Sequence, residues 1–198
     1  MASIGLVGSK LINLPFFLSA IAFLGLNVAY TFWAKHVVIL DVLTIAMGFV
    51  IRALAGAFAI EVPASTWFLI NTLLLALFLS LGKRRHELLY LETEALAHRK
   101  TLVMYSSDLL DHLLSVVTAA VLVIYMLYTF STEVIHRLGT DKLFVTIPFV
   151  VYGVFRYLYL IHREEQGGSP TRVLIDDRPI LITVLLWLVT ASIVLYVL

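Results

Sequence analysis

The sequence predicts an all-α fold, a polytopic transmembrane helical bundle of about six spans. Three observations carry that expectation. Hydrophobic residues make up 61% of the 198-residue chain, and the mean hydropathy is +0.99, both well beyond soluble domains. Six stretches approach the roughly 20 apolar residues that a helix needs to cross hydrocarbon. Runs such as "FLINTLLLALFLSLG" do not alternate polar with apolar residues, which argues against the short strands of a β-barrel.

The spans fall at 11–33, 37–60, 66–82, 112–132, 143–161 and 179–198, in one integral membrane domain covering 1–198. Two longer connections, 83–111 and 162–178, hold most of the ionisable residues. The opening "MASIGLVGSK" carries one Lys and no small-residue cleavage site after the apolar run, so a cleaved signal peptide is not expected. There is no cysteine, which excludes disulfides, thiolate metal sites and cysteine nucleophiles. The net charge of +1 says little by itself; no nucleic-acid partner is expected, and the partner that the composition implies is the lipid bilayer.

The distribution of cations sets an orientation. One side collects nine: Lys35, Lys83, Arg84, Arg85, Arg99, Lys100, Arg163, Arg172 and Arg178. The other collects three, Lys10, Arg137 and Lys142, while Arg52 and Arg156 fall inside spans. The positive-inside bias therefore predicts a multi-pass cell-membrane protein with 83–111 and 162–178 cytoplasmic and both termini external. An external N-terminus without a signal peptide leads to the expectation of a truncated form, with helices missing upstream.

Several residues could carry chemistry. Asp41 and Arg52 lie in the second span, where charges are costly and usually face a cavity or a partner. Eleven residues return Arg52 to nearly the face of Asp41, about 16 Å further along, with Gly48 between them. That stripe reads as a cavity wall, or else as an interfacial Asp and a helix-pairing Arg. "GKRRHEL" places Lys83, Arg84 and Arg85 at the end of the third span, either as a topology anchor complementing the helix dipole or as a clamp for phosphate or pyrophosphate. Glu87, four residues after Lys83, could aim it. "YSSDLLDHLL" offers Tyr105, Asp108 and Asp111; the two acids share a helix face and could hold Mg²⁺ through water, or simply complement a helix start.

In "YLIHREEQGGSPTRVLIDDRPI", Gly167, Gly168 and Pro170 mark a turn, and Asp176, Asp177, Arg178 and Pro179 lead into the last span as caps or as part of a lid. Tyr152, Arg156 and Tyr159 recur on one face of the fifth span, where Arg156 can snorkel or face the cavity. His36, His112, His136 and His162 show no metal-ligand spacing and read as interfacial.

In this order, "YTFWAKHVVILDVLTIAMGFVIRALAGA", "LFLSLGKRRHEL", "YSSDLLD" and "LIDDRPI" resemble the decaprenyl-phosphate phosphoribosyltransferase branch of the UbiA prenyltransferase superfamily. The resemblance runs from about Asn27 onward, and "GKRRHEL" stands where most of the superfamily carries a second aspartate-rich motif. It implies a nine-helix fold of which the six spans match helices four to nine, with an active site open to the cytoplasm. It also implies Mg²⁺ as cofactor, and phosphoribosyl diphosphate and polyprenyl phosphate as substrates. The implied reaction transfers 5-phosphoribose, releases pyrophosphate and makes a lipid-linked sugar for cell-wall arabinan.

On that basis Lys83, Arg84 and Arg85 bind substrate phosphate with Glu87 orienting one of them. Asp41, Arg52, Tyr105 and Arg156 line the cavity, and Asp108, Asp111, Asp177 and Arg178 frame its mouth or assist the metal. The superfamily's first motif, Asn-x-x-x-Asp-x-x-x-Asp, is absent from this sequence. Two alternatives stay open: a prenyltransferase acting on an aromatic acceptor, which the basic run disfavours, and a non-catalytic remnant or assembly partner, which the missing motif favours. A transporter would call for broken helices or an internal repeat. The residues leave a homo-oligomer open.

Overall fold

A computed structural model describes residues 13–90, 104–163, 173 and 175–196. Lys10, Arg99, Lys100, Gly167, Gly168, Pro170 and Arg172, named above, lie outside the described residues. The helices are α1 (Leu14–Phe32), α2 (Leu40–Ala59), α3 (Thr66–Tyr90), α4 (Ser107–Phe130), α5 (Thr132–Leu138), α6 (Ile147–Arg163) and α7 (Arg178–Tyr196). Short 3-10 turns at Ala34–His36 and Lys142–Thr146 precede α2 and α6. Six helices are long and apolar enough to cross a membrane, and no strand occurs among the described residues, so the expected multi-pass helical protein is what forms.

Two boundaries differ from the hydropathy reading. The third helix does not stop at 82 but runs to Tyr90, and the fourth starts at Ser107 rather than 112. Hydropathy measures solubility in lipid, whereas helix formation depends on propensity and capping. Lys, Arg, Glu and Leu after Gly82 are good helix formers, and Ser106 caps α4 by accepting the Leu109 N–H at 3.1 Å. Much of what reads as a loop, 83–111, is therefore helix end and helix start.

The chain divides into two compact units, Met1–Ser80 with Thr93–Tyr105 and Leu81–Glu92 with Ser106–Leu198. The first is organised by α1 packing along α2. Asn13 accepts the Phe16 N–H at 2.8 Å to start α1, and its amide donates to the Phe58 carbonyl at 2.6 Å, tying the start of α1 to the end of α2. The pair is thus antiparallel.

In the second unit α7 packs on α6 and α6 on α4, around buried Leu110, Leu114, Leu160, Ile161 and Ile180. Several polar atoms in this apolar setting are internally satisfied, although among the described residues the buried Thr118 Oγ1 has no hydrogen-bond partner. Trp187 Nε1 donates to Tyr125 Oη at 2.8 Å, Tyr125 pairs with Thr146 Oγ1 at 2.7 Å, and Thr146 donates to the Leu143 carbonyl at 2.6 Å. That chain links α4, α7 and the turn before α6 where water cannot serve as a partner. Isolated hydroxyls and amides instead bond back one turn, as Thr44 does to Leu40, Asn71 to Trp67 and Thr183 to Pro179. The outward faces stay apolar: Leu185, Leu188 and Val189 on α7 are about half exposed. In water such a face would aggregate; in a bilayer it meets acyl chains.

Gly82 fixes the approach of α3 to α6. A Cβ there would lie 3.1 Å from Tyr157 Oη and 3.2 Å from its ring, and Tyr157 is buried. Small residues permit such close helix contacts in membranes. Gly82→Val is expected to destabilise the folded protein by about 1–3 kcal/mol through overpacking, read as a lower unfolding midpoint in detergent, while Gly82→Ala with Tyr157→Phe should recover part of the loss.

Candidate functional site

Within the first unit, Asp41 and Tyr105 come together as a pair. Tyr105 donates to Asp41 Oδ1 at 2.7 Å, and its oxygen accepts the Ile39 N–H at 2.7 Å. Both side chains are buried. Ile39 has φ 71°, a positive-φ conformation that costs a β-branched residue about 1–3 kcal/mol. The tyrosine oxygen bridges the strained residue to the first turn of α2, so the strain is held by a specific hydrogen bond. Two segments 66 residues apart are joined there.

Arg52, expected on the same cavity wall, occupies a different place. It lines a groove between α1 and α2 with Phe23, Leu26, Asn27, Tyr30, Thr44, Ile45 and Gly48, and neither Asp41 nor Tyr105 belongs to that lining. The helical phase of the two residues agrees with the sequence reading. Burial separates them: Asp41 turns into the protein and Arg52 remains exposed.

The basic run lies in the second unit, on the last turns of α3. Successive helical residues step by about 100°, so its three cations face three ways. Arg84 is inward, its side chain 3% exposed, with Nη1 2.5 Å from Glu87 Oε2. Arg85, 11% exposed, donates to Asp111 Oδ1 at 2.5 Å and to the Ile161 carbonyl at 3.0 Å. Lys83 is 49% exposed, with Nζ 3.9 Å from Glu87 Oε1. Glu87 thus orients Arg84 more closely than the Lys83 singled out from spacing alone. Of the three cations Lys83 is the most exposed and makes the longest contact with a carboxylate.

His162 enters this cluster, with Nε2 3.3 Å from Asp111 Oδ1. Its spacing suggests only an interfacial residue and does not link it to Asp111, since the two meet only once α4 and α6 pack. The other expected mouth residues divide. Asp108 is exposed in the first turn of α4, where it complements the helix dipole. Arg178 is exposed at the start of α7. Asp177 is buried and receives Arg156 Nη2 at 2.8 Å, and its Oδ1 accepts the Ile180 N–H at 2.9 Å. Asp177 therefore caps α7, and Arg156 points to this cap while its guanidinium also lies 4.9 Å from the Tyr159 ring centroid.

Arg156, with the Ile180 N–H, holds the Asp177 carboxyl below its ordinary value of 3.8 despite burial. A depressed folded-state pKa stabilises the fold above the unfolded value and is lost as pH falls through the folded one. The α7 anchor should therefore be insensitive to pH from neutrality down to about 4, weakening only below the ordinary carboxylate value of 3.8. Trp187 fluorescence in a Trp33→Phe/Trp67→Phe background reads this directly, and Asp177→Asn should show the weakened anchor at every pH.

Of the acids expected to assist Mg²⁺, Asp108 is exposed while the other two are held by cations. Asp111 is engaged by Arg85 and His162, Asp177 by Arg156 and a backbone N–H, and Glu87 by Arg84. Among the described residues no group of three His, Asp or Glu side chains converges as a metal site. What the arrangement can do chemically is hold an anion at an exposed ammonium braced from behind by ion pairs.

No protein-family model matches the sequence. Curated proteins do. The chain is 30% identical over 179 residues to the decaprenyl-phosphate phosphoribosyltransferase of Mycolicibacterium smegmatis, covering 88% of this chain and 56% of that one. It is 29% identical over 187 residues to the Mycobacterium tuberculosis protein of the same name, covering 94% and 61%. A Corynebacterium glutamicum protein of that name is 27% identical over 179 residues, covering 88% and 52%. The chain spans a little over half the length of these relatives. With the six apolar helices, these matches make the chain a homologue of the decaprenyl-phosphate phosphoribosyltransferases along most of its own length.

Proposed function

We propose that the chain acts in the membrane transfer of 5-phosphoribose from phosphoribosyl diphosphate to polyprenyl phosphate, releasing pyrophosphate, as a step towards lipid-linked sugar for cell-wall arabinan. The observation that carries the reading is the exposed Lys83 on a basic helix end whose neighbouring cations are already neutralised, in a chain whose relatives bear that enzymatic name. In the transfer, an acceptor phosphate oxygen forms a bond to the anomeric carbon as the bond from that carbon to the diphosphate oxygen breaks. The leaving diphosphate takes the electron pair, and a cation at its oxygens stabilises the developing charge.

Lys83 supplies that contact in this reading. Arg84 and Arg85 hold the helix end that presents it, through Glu87, Asp111 and the Ile161 carbonyl. The Asp41–Tyr105 pair fixes the start of α2. The charge bias puts the connections 83–111 and 162–178 in the cytoplasm, where a soluble phosphoribosyl donor would be met. Mg²⁺ is expected in the reaction as the resemblance implies, without ligands assigned to the described residues.

The test is transfer of radiolabelled phosphoribose from phosphoribosyl diphosphate to decaprenyl phosphate, with Mg²⁺, in membranes containing this chain alone or together with the N-terminal part of the M. smegmatis relative. Labelled lipid in either arm, absent from empty membranes, is the expected result. No labelled lipid in either arm would overturn the reading. It would favour a non-catalytic assembly role.

A further inference from the structure

The groove on the first unit holds a cation that the transferase reading does not use. Arg52 lies 12 residues after the start of α2 and 7 before its end, which places its Cα about 10 Å inside the helix end at 1.5 Å per residue. An arginine at that depth ordinarily extends towards the nearer interface. Arg52 instead folds back: Nε donates to the Gly48 carbonyl at 3.3 Å, and the guanidinium lies 4.3 Å from the Phe49 ring centroid and 5.4 Å from that of Phe23. Among the described residues no carboxylate lies within ion-pair distance of it, and the side chain is exposed. A cation kept in the apolar zone without an acidic partner is costly. The rings and one carbonyl offset only part of that cost, because four of the five guanidinium N–H groups remain for another acceptor.

The space beside it is small and runs along the helix from Thr44 to Arg52. The groove measures about 220 Å³, below the size of ordinary small-molecule pockets. It extends about 12 Å along α2 from Thr44 to Arg52. Its walls are mostly apolar, from Phe23, Leu26 and Ile45, with Gly48 as its floor. A Cβ at Gly48 would already touch Phe23 at 3.5 Å and Leu26 at 3.7 Å.

We propose that this groove is a binding site for an anionic bilayer phospholipid, its phosphate held by the free face of the Arg52 guanidinium and part of one acyl chain lying along Gly48 and Ile45. Charge complementarity selects the anionic headgroup, since a guanidinium presents paired donors to phosphate oxygens. The position of the groove between two helices long and apolar enough to cross a membrane selects a bilayer lipid as the source. The site shares no residue with the Lys83 cluster and does not depend on the transferase reading.

The test is native mass spectrometry of the purified, delipidated chain in neutral detergent, with equal concentrations of dioleoyl phosphatidylglycerol and dioleoyl phosphatidylcholine. One phosphatidylglycerol per chain is expected, preferred at least 10-fold. Arg52→Gln should reduce the preference to under 2-fold, Arg52→Lys should retain part of it, and Gly48→Leu should lose both lipids by filling the groove. Circular dichroism and monodispersity confirm folding, and if the Gln variant fails to fold, Arg52→Lys with Gly48→Leu decides. Equal retention of the two lipids, an unchanged preference in Arg52→Gln, or no loss of lipid in Gly48→Leu would overturn the proposal. Displacement of phosphatidylglycerol by an equal concentration of decaprenyl phosphate would also overturn it, assigning the groove to an isoprenoid phosphate.

Discussion

Lys83→Met should lower the use of phosphoribosyl diphosphate by about 10- to 100-fold without moving the unfolding midpoint. The magnitude follows from losing one charge-assisted contact to phosphate, about 1.5–3 kcal/mol. The expectation of unchanged stability follows from the position of the side chain: it is 49% exposed, and its 3.9 Å contact with Glu87 is long for an ion pair, so its removal costs the fold little. Lys83→Arg should retain much of the activity, because the charge remains at the same place. Steady-state transfer kinetics beside thermal unfolding separate the two readouts.

Arg84→Ala should do the reverse first. Its guanidinium is buried against Glu87, itself only 12% exposed, and losing this charge-assisted contact costs about 1.5–3 kcal/mol, with Lys83 still 3.9 Å from Glu87. The protein should unfold at a markedly lower temperature, and any loss of activity should track the loss of folded protein. Replacing both partners, Arg84→Met with Glu87→Leu, should restore much of the stability, since apolar residues of similar volume tolerate burial well. A stable Arg84→Ala variant with selectively weakened donor binding would instead make Arg84 a phosphate ligand.

The contrast between these neighbours shows where sequence reading stops. Hydropathy located all six long helices because lipid solubility is a property of composition over about 20 residues. It misplaced the end of α3 and the start of α4, where charged but helix-favouring residues follow an apolar run. The basic run was legible as a feature, yet treating Lys83, Arg84 and Arg85 as one clamp ignored the 100° step between helical neighbours. Spacing related Glu87 to Lys83; that Arg84 would be its closer partner depended on which face of α3 is buried.

Likewise, Asp41 and Arg52 do share a helical phase, but burial separates them into a locked carboxylate and an open cation. His162 with Asp111, and Tyr125 with Thr146 and Trp187, are contacts between distant segments. A single sequence carries no local signal for them. The Asp177 cap was the exception: an acid two residues before Pro179 is a helix-start pattern, and the Ile180 N–H meets it there.

In the proposed function the end of α3 binds phosphate rather than only anchoring the helix at the interface. Equilibrium binding of phosphoribosyl diphosphate to the purified protein, wild type against Lys83→Met, with Mg²⁺ and at fixed ionic strength, tests it most directly. Saturable binding in the wild type that weakens at least 10-fold in the variant, at an unchanged unfolding midpoint, is the predicted result. Equal binding by the two proteins, or no binding by the wild type, would contradict the claim and return the basic run to the role of a topology anchor.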